Sequence, residues 1–406
     1  MENVCNGIME CVSLGIYVSV PFCRTKCSYC NFASDVFSRT VFERYVDRVC
    51  LEIANARSTA KEMGGLIEGD VDSIYLGGGT PTVLEPAQLK RIFDAVRAEF
   101  SVQKGAEITV ECAPGTLSPT VLETLRQCGV NRVSLGVQSF VDAEAAAVGR
   151  LHKSATVIED IARLRAAGIA NINIDLIAGL PHQTAISWQE SLQKTIASGV
   201  PHVSVYMLEV DDESRLGREL IAGGTRYHAH FVPNEDAVAD FYLAACGCLE
   251  SAGIAQYEIS NFARADLQSC HNLKYWTRQP YLGFGVDAHS MLRAADEKEE
   301  AVRFATADVL DKYVSGGPLQ RTEVSRSAAL EEHFFLGLRL NRGIELGSLA
   351  GKFPALENLQ AIIAELVEGG LLHREGNFIS LTPRGRLLSN EVFQAFLAPR
   401  TAFTRA

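Results

Sequence analysis

Three cysteines stand close together early in the chain, in Ile16-Tyr-Val-Ser-Val-Pro-Phe-Cys23-Arg-Thr-Lys-Cys27-Ser-Tyr-Cys30-Asn-Phe32. Gaps of three and two residues let Cys23, Cys27 and Cys30 wrap one turn of loop around an iron–sulfur cluster. An ordinary [4Fe-4S] cluster takes four cysteine ligands, so three leave one iron without a protein partner. An open iron takes an exogenous ligand, and for this spacing the candidate is S-adenosylmethionine (SAM). Its amino and carboxylate groups can chelate the open iron and bring the sulfonium beside the cluster. One electron from the reduced cluster then breaks a carbon–sulfur bond and releases a 5′-deoxyadenosyl radical. The competing readings are a structural zinc site and unligated thiols in a reducing compartment. Zinc ordinarily takes four protein ligands, and no further Cys or His lies close by in the sequence.

Something must hold that loop. Short apolar, β-branched runs occur at 15–20, 72–77, 107–112, 132–137, 171–177 and 202–208, and the segments between them carry a helical period. Leu89, Ile92, Phe93 and Val96 recur at three and four residues within 85–100. Ser118-Pro119 followed by Val121, Leu122 and Leu125 gives an N-cap, a proline at the first position and an apolar face, stopped at Gly129. Residues 154–167 and 184–198 repeat the pattern and stop at Gly168 and Gly199. Six strand–helix units predict an α/β fold with a parallel sheet and right-handed crossovers, a partial (β/α)6 TIM-like barrel. In such barrels the chemistry gathers at the C-terminal ends of the strands. The cysteine loop follows the first strand directly, so it falls in the right place.

The rhythm changes near 232. A helix over Asp236–Ala252 leads into Gln256-Tyr-Glu-Ile-Ser-Asn-Phe262, a polar stretch and a Tyr/Trp- and Gly-rich segment through His289, and 294–300 reads as a solvated loop. Helices at 327–340, 345–351 and 355–369, then a hairpin turned at Glu375-Gly376-Asn377, predict a small winged-helix-like α+β domain. The division expected is a tail at 1–13, the barrel at 14–231, an extension at 232–321, the C-terminal domain at 322–396 and a tail at 397–406.

Hydrophobic residues make up 47% of the 406 and charged residues 21%, an ordinary globular composition with room for a large core. The net charge of −11 and a C-terminal region that is not strongly basic argue against nucleic acid as a partner, winged helix notwithstanding. Eleven cysteines in a chain of this length are too sparse for a disulfide framework and suit a reducing cytoplasm. Cysteines 5, 11, 50, 112, 128, 246, 248 and 270 do not repeat the first spacing, so no second cluster is expected. The segment before Arg24 has no Lys or Arg and carries Glu2 and Glu10, unlike the charged start of a signal peptide. No apolar run reaches about 18 residues, so no transmembrane span is expected, which leaves peripheral membrane contact open.

Further polar residues mark the strand ends. Gly77-Gly-Gly-Thr-Pro81 closes the second run, and glycines let a backbone approach a ligand closely. Glu111 ends the third, Gln138 the fourth, and Asp175 lies in the fifth. Polar groups inside apolar strands need partners. Singly, each is ordinarily a satisfied structural group; on consecutive strand ends they favour a cofactor site for a zwitterion bearing a ribose. A second motif is His271-Asn272-Leu273-Lys274-Tyr275-Trp276. Histidine is a common haem-iron ligand, Tyr275 and Trp276 can pack on a porphyrin face, and Lys274 can pair with a propionate. Cys270 offers a thiolate as the weaker alternative. His228 and His230 read as a surface loop, since no carboxylate spacing supports a metal pair there.

Together these motifs resemble, from about Leu14 to about Phe396, the oxygen-independent coproporphyrinogen III oxidase-like branch of the radical SAM superfamily, and within it the HemW-type haem chaperone subfamily. The resemblance implies a [4Fe-4S] cluster on Cys23, Cys27 and Cys30. It implies SAM contacts from Tyr17, Tyr29, Gly78, Gly79, Thr80, Glu111, Gln138, Arg150 and Asp175, the glycine motif meeting the methionyl amine. It makes His271, Asn272, Tyr275 and Trp276 a haem-binding signature. Phe32 stands where the oxidase has a further cysteine, and only 22 residues precede Cys23 where the oxidase has a longer extension; both features match the chaperone subfamily. Ser19 stands where the family has a histidine, and with the cluster ligands unchanged the expected effect is local. The function implied is a haem chaperone that docks haem through His271 and delivers it to apo-haem acceptor proteins, respiratory or other. Its cluster and SAM would govern dimerisation or transfer, as a monomer or homodimer, with an electron donor still to be identified. The alternatives are the oxidase itself, which decarboxylates two propionates of coproporphyrinogen III, a radical SAM methyltransferase, for which no acceptor cysteine stands out, and a zinc protein.

Overall fold

A computed structural model describes residues 13–397. The two tails expected at the ends fall almost wholly outside these residues, as do Cys5 and Cys11. Six parallel strands run in sequential order: β1 (Leu14–Val20), β2 (Val71–Gly78), β3 (Val102–Cys112), β4 (Arg132–Gln138), β5 (Asn171–Ala178) and β6 (His202–Met207). Helices cross between them: α1 (Thr40–Ala54), α2 (Pro86–Glu99), α3 (Pro119–Gln127), α4 (Ser154–Ala166) and α5 (Ala185–Ala197). The predicted start of α3 is made as expected, with Ser118 Oγ accepting from the Val121 amide at 3.2 Å and Pro119 at the first position.

Each strand has two faces of opposite character. Ile74 and Leu76, Ile108 and Val110, Val133 and Leu135, and Ile172 and Ile174 are buried in one core with Leu89, Ile92, Phe93 and Val96 of α2. Alternate residues are polar: Ser73 and Tyr75, Glu107, Thr109 and Glu111, Arg132 and Ser134, Asn173 and Asp175, His202 and Ser204. Strand side chains alternate between faces, so the polar set lines the concave interior. Burying each large apolar side chain outside it contributes about 1.5–3 kcal/mol, which is what lets the interior carry so many charges.

The sheet continues beyond the six predicted strands. After α6 (Arg215–Ala222) and α7 (Glu235–Ser251), β7 (Asn261–Ala263) adds antiparallel to β6. On the other side β8 (Tyr281–Gly285) lies parallel to β1, then β9 (His289–Ala294), β10 (Ala301–Ala305) and β11 (Gln320–Val324) follow antiparallel. Gly285 sits where a side chain cannot: its φ is +98°, and a Cβ would lie 2.3 Å from the Ser19 carbonyl oxygen. Between β7 and β8 runs a short helix, α8 (Cys270–Trp276).

A second hydrophobic core, containing Leu330, Phe334, Ile344, Ile363, Leu372, Ile379 and Phe396, is built by α9 (Arg326–Gly337), α10 (Gln360–Glu368) and a small sheet. That sheet is ordered β12 (Ile344–Glu345), β14 (Phe378–Leu381), β13 (Leu372–Glu375), with the hairpin turned at Gly376 (φ +59°). Helices plus wing give the winged-helix-like α+β shape expected of the C-terminal region. None of the helices among the described residues is long and apolar enough to cross a membrane.

Candidate cofactor site

Cys23, Cys27 and Cys30 open a cavity of about 360 Å3 at the C-terminal ends of the strands. It is lined also by Tyr29, Gly78, Gly79, Thr80, Glu111, Gln138 and Arg150, so the structure brings together ten of the twelve residues expected around the cluster and SAM. Tyr17 and Asp175 lie deeper in the barrel, off the cavity wall. The loop is fixed by backbone bonds: Cys23 N–H donates to the Asp35 carbonyl at 3.0 Å, Ser28 N–H to Val148 at 3.2 Å, and Cys30 N–H to Cys27 at 3.3 Å. Among the described residues no three His, Cys, Asp or Glu side chains converge on a single ion position, and the three cysteines line the cavity wall.

The cavity is shaped for a group that approaches closely and carries charge. Gly79 N–H donates to the Val20 carbonyl and Thr80 N–H to that of Phe22, both at 2.7 Å. A Cβ on Gly79 would fall 2.7 Å from the Phe22 oxygen and 3.1 Å from Cys23 Sγ. The Arg150 guanidinium, 3.6 Å from Cys27 Sγ, donates to the Gly136 carbonyl, a buried cation where thiolates would gather. Gln138 turns the end of β4 with φ +69°, and its buried Oε1 has no hydrogen-bond partner. An orphaned buried acceptor ordinarily has a partner to explain. Burial, then the nearby Asp175 carboxylate, push Glu111 up to about 7, against the bond it accepts from Tyr75. Asp175 is raised too, mainly by burial, and is held by Ser134 Oγ at 2.9 Å and Asn173 Nδ2 at 2.7 Å. Three thiols with a buried guanidinium, a glycine cradle and an unpartnered amide oxygen fit a [4Fe-4S] cluster and a zwitterionic ligand beside it.

The His271 motif lies at the other end of the barrel. The Glu107 carboxylate accepts from Ser269 Oγ at 3.2 Å and from the amides of Cys270 at 3.0 Å and His271 at 3.1 Å, pinning the start of α8 inside. His271 is 1% exposed. Its Nδ1 meets Ser73 Oγ at 3.1 Å and its Nε2 the Tyr275 hydroxyl at 2.9 Å. Burial first, then Lys274 and Arg132, hold its pKa down to about 3. Lys274 is committed to Asp72 at 2.8 Å and to the Ser13 carbonyl at 2.9 Å. Tyr275 stands edge-on to Tyr281, and the Arg339 guanidinium lies 4.4 Å over the Trp276 ring. Asn272 is half-buried and its amide donates to the Ser269 cap at 3.3 Å, while Cys270 is exposed.

Two further residues, outside every motif in the sequence, matter here: Tyr75 connects these ends and Glu107 fixes one of them. Tyr75 donates its hydroxyl to Glu111 Oε1 at 2.8 Å, and its ring stacks 5.3 Å from that of His271, with Tyr17 completing the group. Glu107 anchors α8. Both share a strand face with motif residues, 75 with 77 and 107 with 111, so the period-two pattern of β2 and β3 points to them.

A family model described as the radical SAM superfamily matches residues 17–195, and one described as the HemN C-terminal domain matches residues 324–388. The chain is 34% identical over 390 residues to a heme chaperone HemW from Bacillus subtilis, covering 94% of this chain and 98% of that one. It is 28% identical over 388 residues to heme chaperone HemW from Escherichia coli, covering 95% and 98%. Among solved structures, coproporphyrinogen III oxidase HemN from Escherichia coli superposes with a TM-score of 0.80 at 24% identity, over 95% of this chain and 90% of that one, a likeness of fold. The fold is that of a radical SAM protein. The chain belongs to the HemW family within that superfamily.

Proposed function

We propose that this protein is a haem chaperone: it binds haem, holds a [4Fe-4S] cluster and SAM, and passes haem to acceptor haem proteins. The observation that carries this reading is the seat of the His271–Trp276 helix, one ring stack and one hydrogen bond from the cofactor cavity through Tyr75 and Glu111. The state of one end can thus be felt at the other. The relatives named heme chaperones, similar over nearly their whole length, support it.

Cys23, Cys27 and Cys30 would hold the cluster, with Arg150 balancing thiolate charge. Gly78, Gly79 and Thr80 would receive the SAM amino acid, with Tyr29, Glu111 and Gln138 around it; Tyr17 and Asp175 would act from deeper in the barrel. When reduced, such a cluster supplies one electron to the sulfonium. The chain's own residues hold and orient the ligand and keep water from the thiols. Haem ligation by His271 requires α8 to leave its seat, because both ring nitrogens are bonded within the barrel. The barrel at 14–231, the extension at 232–321 and the C-terminal domain at 322–396 would then be cofactor holder, cargo arm and cover.

The test is an anaerobic haemin titration of cluster-loaded protein, following the Soret band, beside His271→Ala and His271→Gln. Tight, saturable binding near one haem per chain, lost in both variants, is expected. Absence of tight binding in the native protein, together with decarboxylation of coproporphyrinogen III given SAM and a low-potential reductant, would overturn the reading in favour of the oxidase.

A further inference from the structure

His182 and His228 face each other on the same rim as the cysteine loop. His182 follows the C-terminal end of β5, and His228 lies on the segment after α6. That helix is fastened to the cysteine loop, Leu216 N–H donating to the Ser28 carbonyl at 2.8 Å and Arg215 Nη1 to that of Lys26 at 3.2 Å. His182 Nε2 lies 3.1 Å from His228 Nδ1. Among the described residues the remaining nitrogens, His182 Nδ1 and His228 Nε2, have no hydrogen-bond partner.

The pair is built rather than incidental. Glu219, only 7% exposed, accepts from the Tyr227 amide at 2.7 Å and the Ala229 amide at 3.1 Å, gripping the backbone on both sides of His228. His182 N–H donates to the Phe231 carbonyl, and Phe231 N–H to that of His228, both at 2.9 Å. His182 and His228 take φ values of +66° and +60°, the left-handed region that few residues with a side chain adopt, histidine more readily than most. The Phe231 ring stacks on His182 at 4.2 Å and is 56% exposed; Ile221 on α6 is 68% exposed. Arg218 and Arg226 on the same segment are exposed.

We infer that this rim is a second haem-contact site, with His228 Nε2 as the axial ligand to the iron. It depends on haem being the cargo, as proposed above. A haem needs a neutral imidazole lone pair for iron, an apolar face for the macrocycle and cations for two carboxylates. In the tautomer that carries the His228 proton on Nδ1, that nitrogen donates to His182 Nε2, which frees the Nε2 lone pair and fixes the ring, the arrangement in which a ligand's other nitrogen is held by a neighbour. The exposed Phe231, packed against both histidine rings, supplies apolar surface, and Arg218 and Arg226, exposed on the same stretch of chain, are the cations nearest in sequence to His228. A cargo protein whose family motif is sealed also needs an accessible ligand at which haem arrives or departs. His182 is here a positioning residue.

The test is haemin titration of the holoprotein beyond one equivalent, with Soret and resonance Raman readouts of ligation, on His228→Ala, His182→Ala and His182→Gln. A second, weaker, histidine-ligated haem is expected in the native protein. His228→Ala should remove it and leave the first haem intact. His182→Ala should weaken it by roughly 10- to 100-fold while keeping histidine ligation, and His182→Gln, which still accepts from Nδ1–H, should restore most of the loss. A second haem that survives His228→Ala, or a titration ending at one haem in both proteins, overturns the site while leaving the chaperone reading intact. Stoichiometric Zn2+ binding lost equally in His182→Ala and His228→Ala, with haem unaffected, reassigns the pair to a metal ion. No haem at either site is the failure of the chaperone reading itself.

Discussion

Tyr75 donates its hydroxyl to Glu111 at 2.8 Å. The bond lies in the middle of the barrel, at the floor of the cofactor cavity, and the same tyrosine ring stacks on His271. From Ser73, which bonds His271, to Gly78, which lines the cavity, β2 rises roughly 16 Å. Tyr75 is therefore the step between two motifs at opposite ends of one strand.

That bond is part of what keeps Glu111 ionisable. A hydrogen bond to a charged group is worth about 1.5–3 kcal/mol, so Tyr75→Phe should raise the Glu111 pKa by a unit or more from about 7. If the ionised carboxylate engages SAM, the midpoint of SAM affinity against pH, read by calorimetry on cluster-loaded protein, should move alkaline by the same amount. An unmoved midpoint would remove Glu111 from SAM recognition.

Glu111 also sets a pH dependence of stability. Its carboxyl is raised from 4.5 to about 7, so between those values the folded protein keeps a proton that the unfolded chain has lost. Stability from this group is full below about 4.5 and falls as pH rises through about 7. Glu111→Gln, neutral throughout, should leave apoprotein less sensitive to pH across that window and melt several degrees higher than the native protein at pH 8. Thermal melts from pH 4.5 to 8.5 check it; parallel profiles would mean that the carboxyl is not the source. The variant should bind SAM poorly, a cost that function imposes on the native residue.

Gly79 is held to glycine by contact rather than by backbone angle. Its Cβ would meet two carbonyl oxygens and Cys23 Sγ, so Gly79→Ala should displace the cysteine loop. Iron and sulfide content after anaerobic reconstitution should fall by at least half, with the far-ultraviolet circular dichroism of the barrel unchanged. Full loading would show that the loop yields.

The six strands and the helices between them were legible because their signals are local. Apolar runs of the right length, Ser118-Pro119 at a helix start and glycines at helix ends need no knowledge of distant residues. The cysteine loop was legible for the same reason. The edge strands β8 to β11 were not, since β8 finds its partner β1 some 265 residues away, Gly15 opposite Tyr281, and nothing in Tyr281-Leu-Gly-Phe-Gly285 names that partner. The motif helix was seen as residues but not as a place. Only the fold reveals that Glu107 captures its start and that His271 faces inward. In the sequence His228 pairs most simply with His230, two residues along, whereas in the fold its partner is His182, brought in from another loop.

The last prediction concerns how α8 is kept in its seat. Arg339, just past α9, lies 4.4 Å over the Trp276 ring. Arg278, two residues beyond Trp276, donates to Glu332 of α9 at 2.8 Å, and Glu332 also pairs with Arg303 at 3.1 Å. The winged-helix-like domain thus grips the end of the helix that carries His271. A partly desolvated cation–π contact is worth about 0.5–2 kcal/mol. If opening of α8 breaks that contact, Arg339→Ala should raise its open population by roughly 2- to 30-fold, since 1.4 kcal/mol is a factor of ten. Amide exchange over 270–276 should accelerate by that factor, measured against β2 amides as an internal standard. Haem association under conditions where opening limits the rate should accelerate equally. Glu332→Gln, which leaves Arg278 and Arg303 without their shared carboxylate, should act in the same direction and cost more stability, because one partner of a buried pair is removed. Faster exchange with an unchanged haem on-rate would mean that haem reaches its ligand without α8 moving. Unchanged exchange would mean that Glu107, Ser73 and Asp72 hold the helix and the domain contact is incidental. Only a joint acceleration identifies the C-terminal domain as the cover over His271.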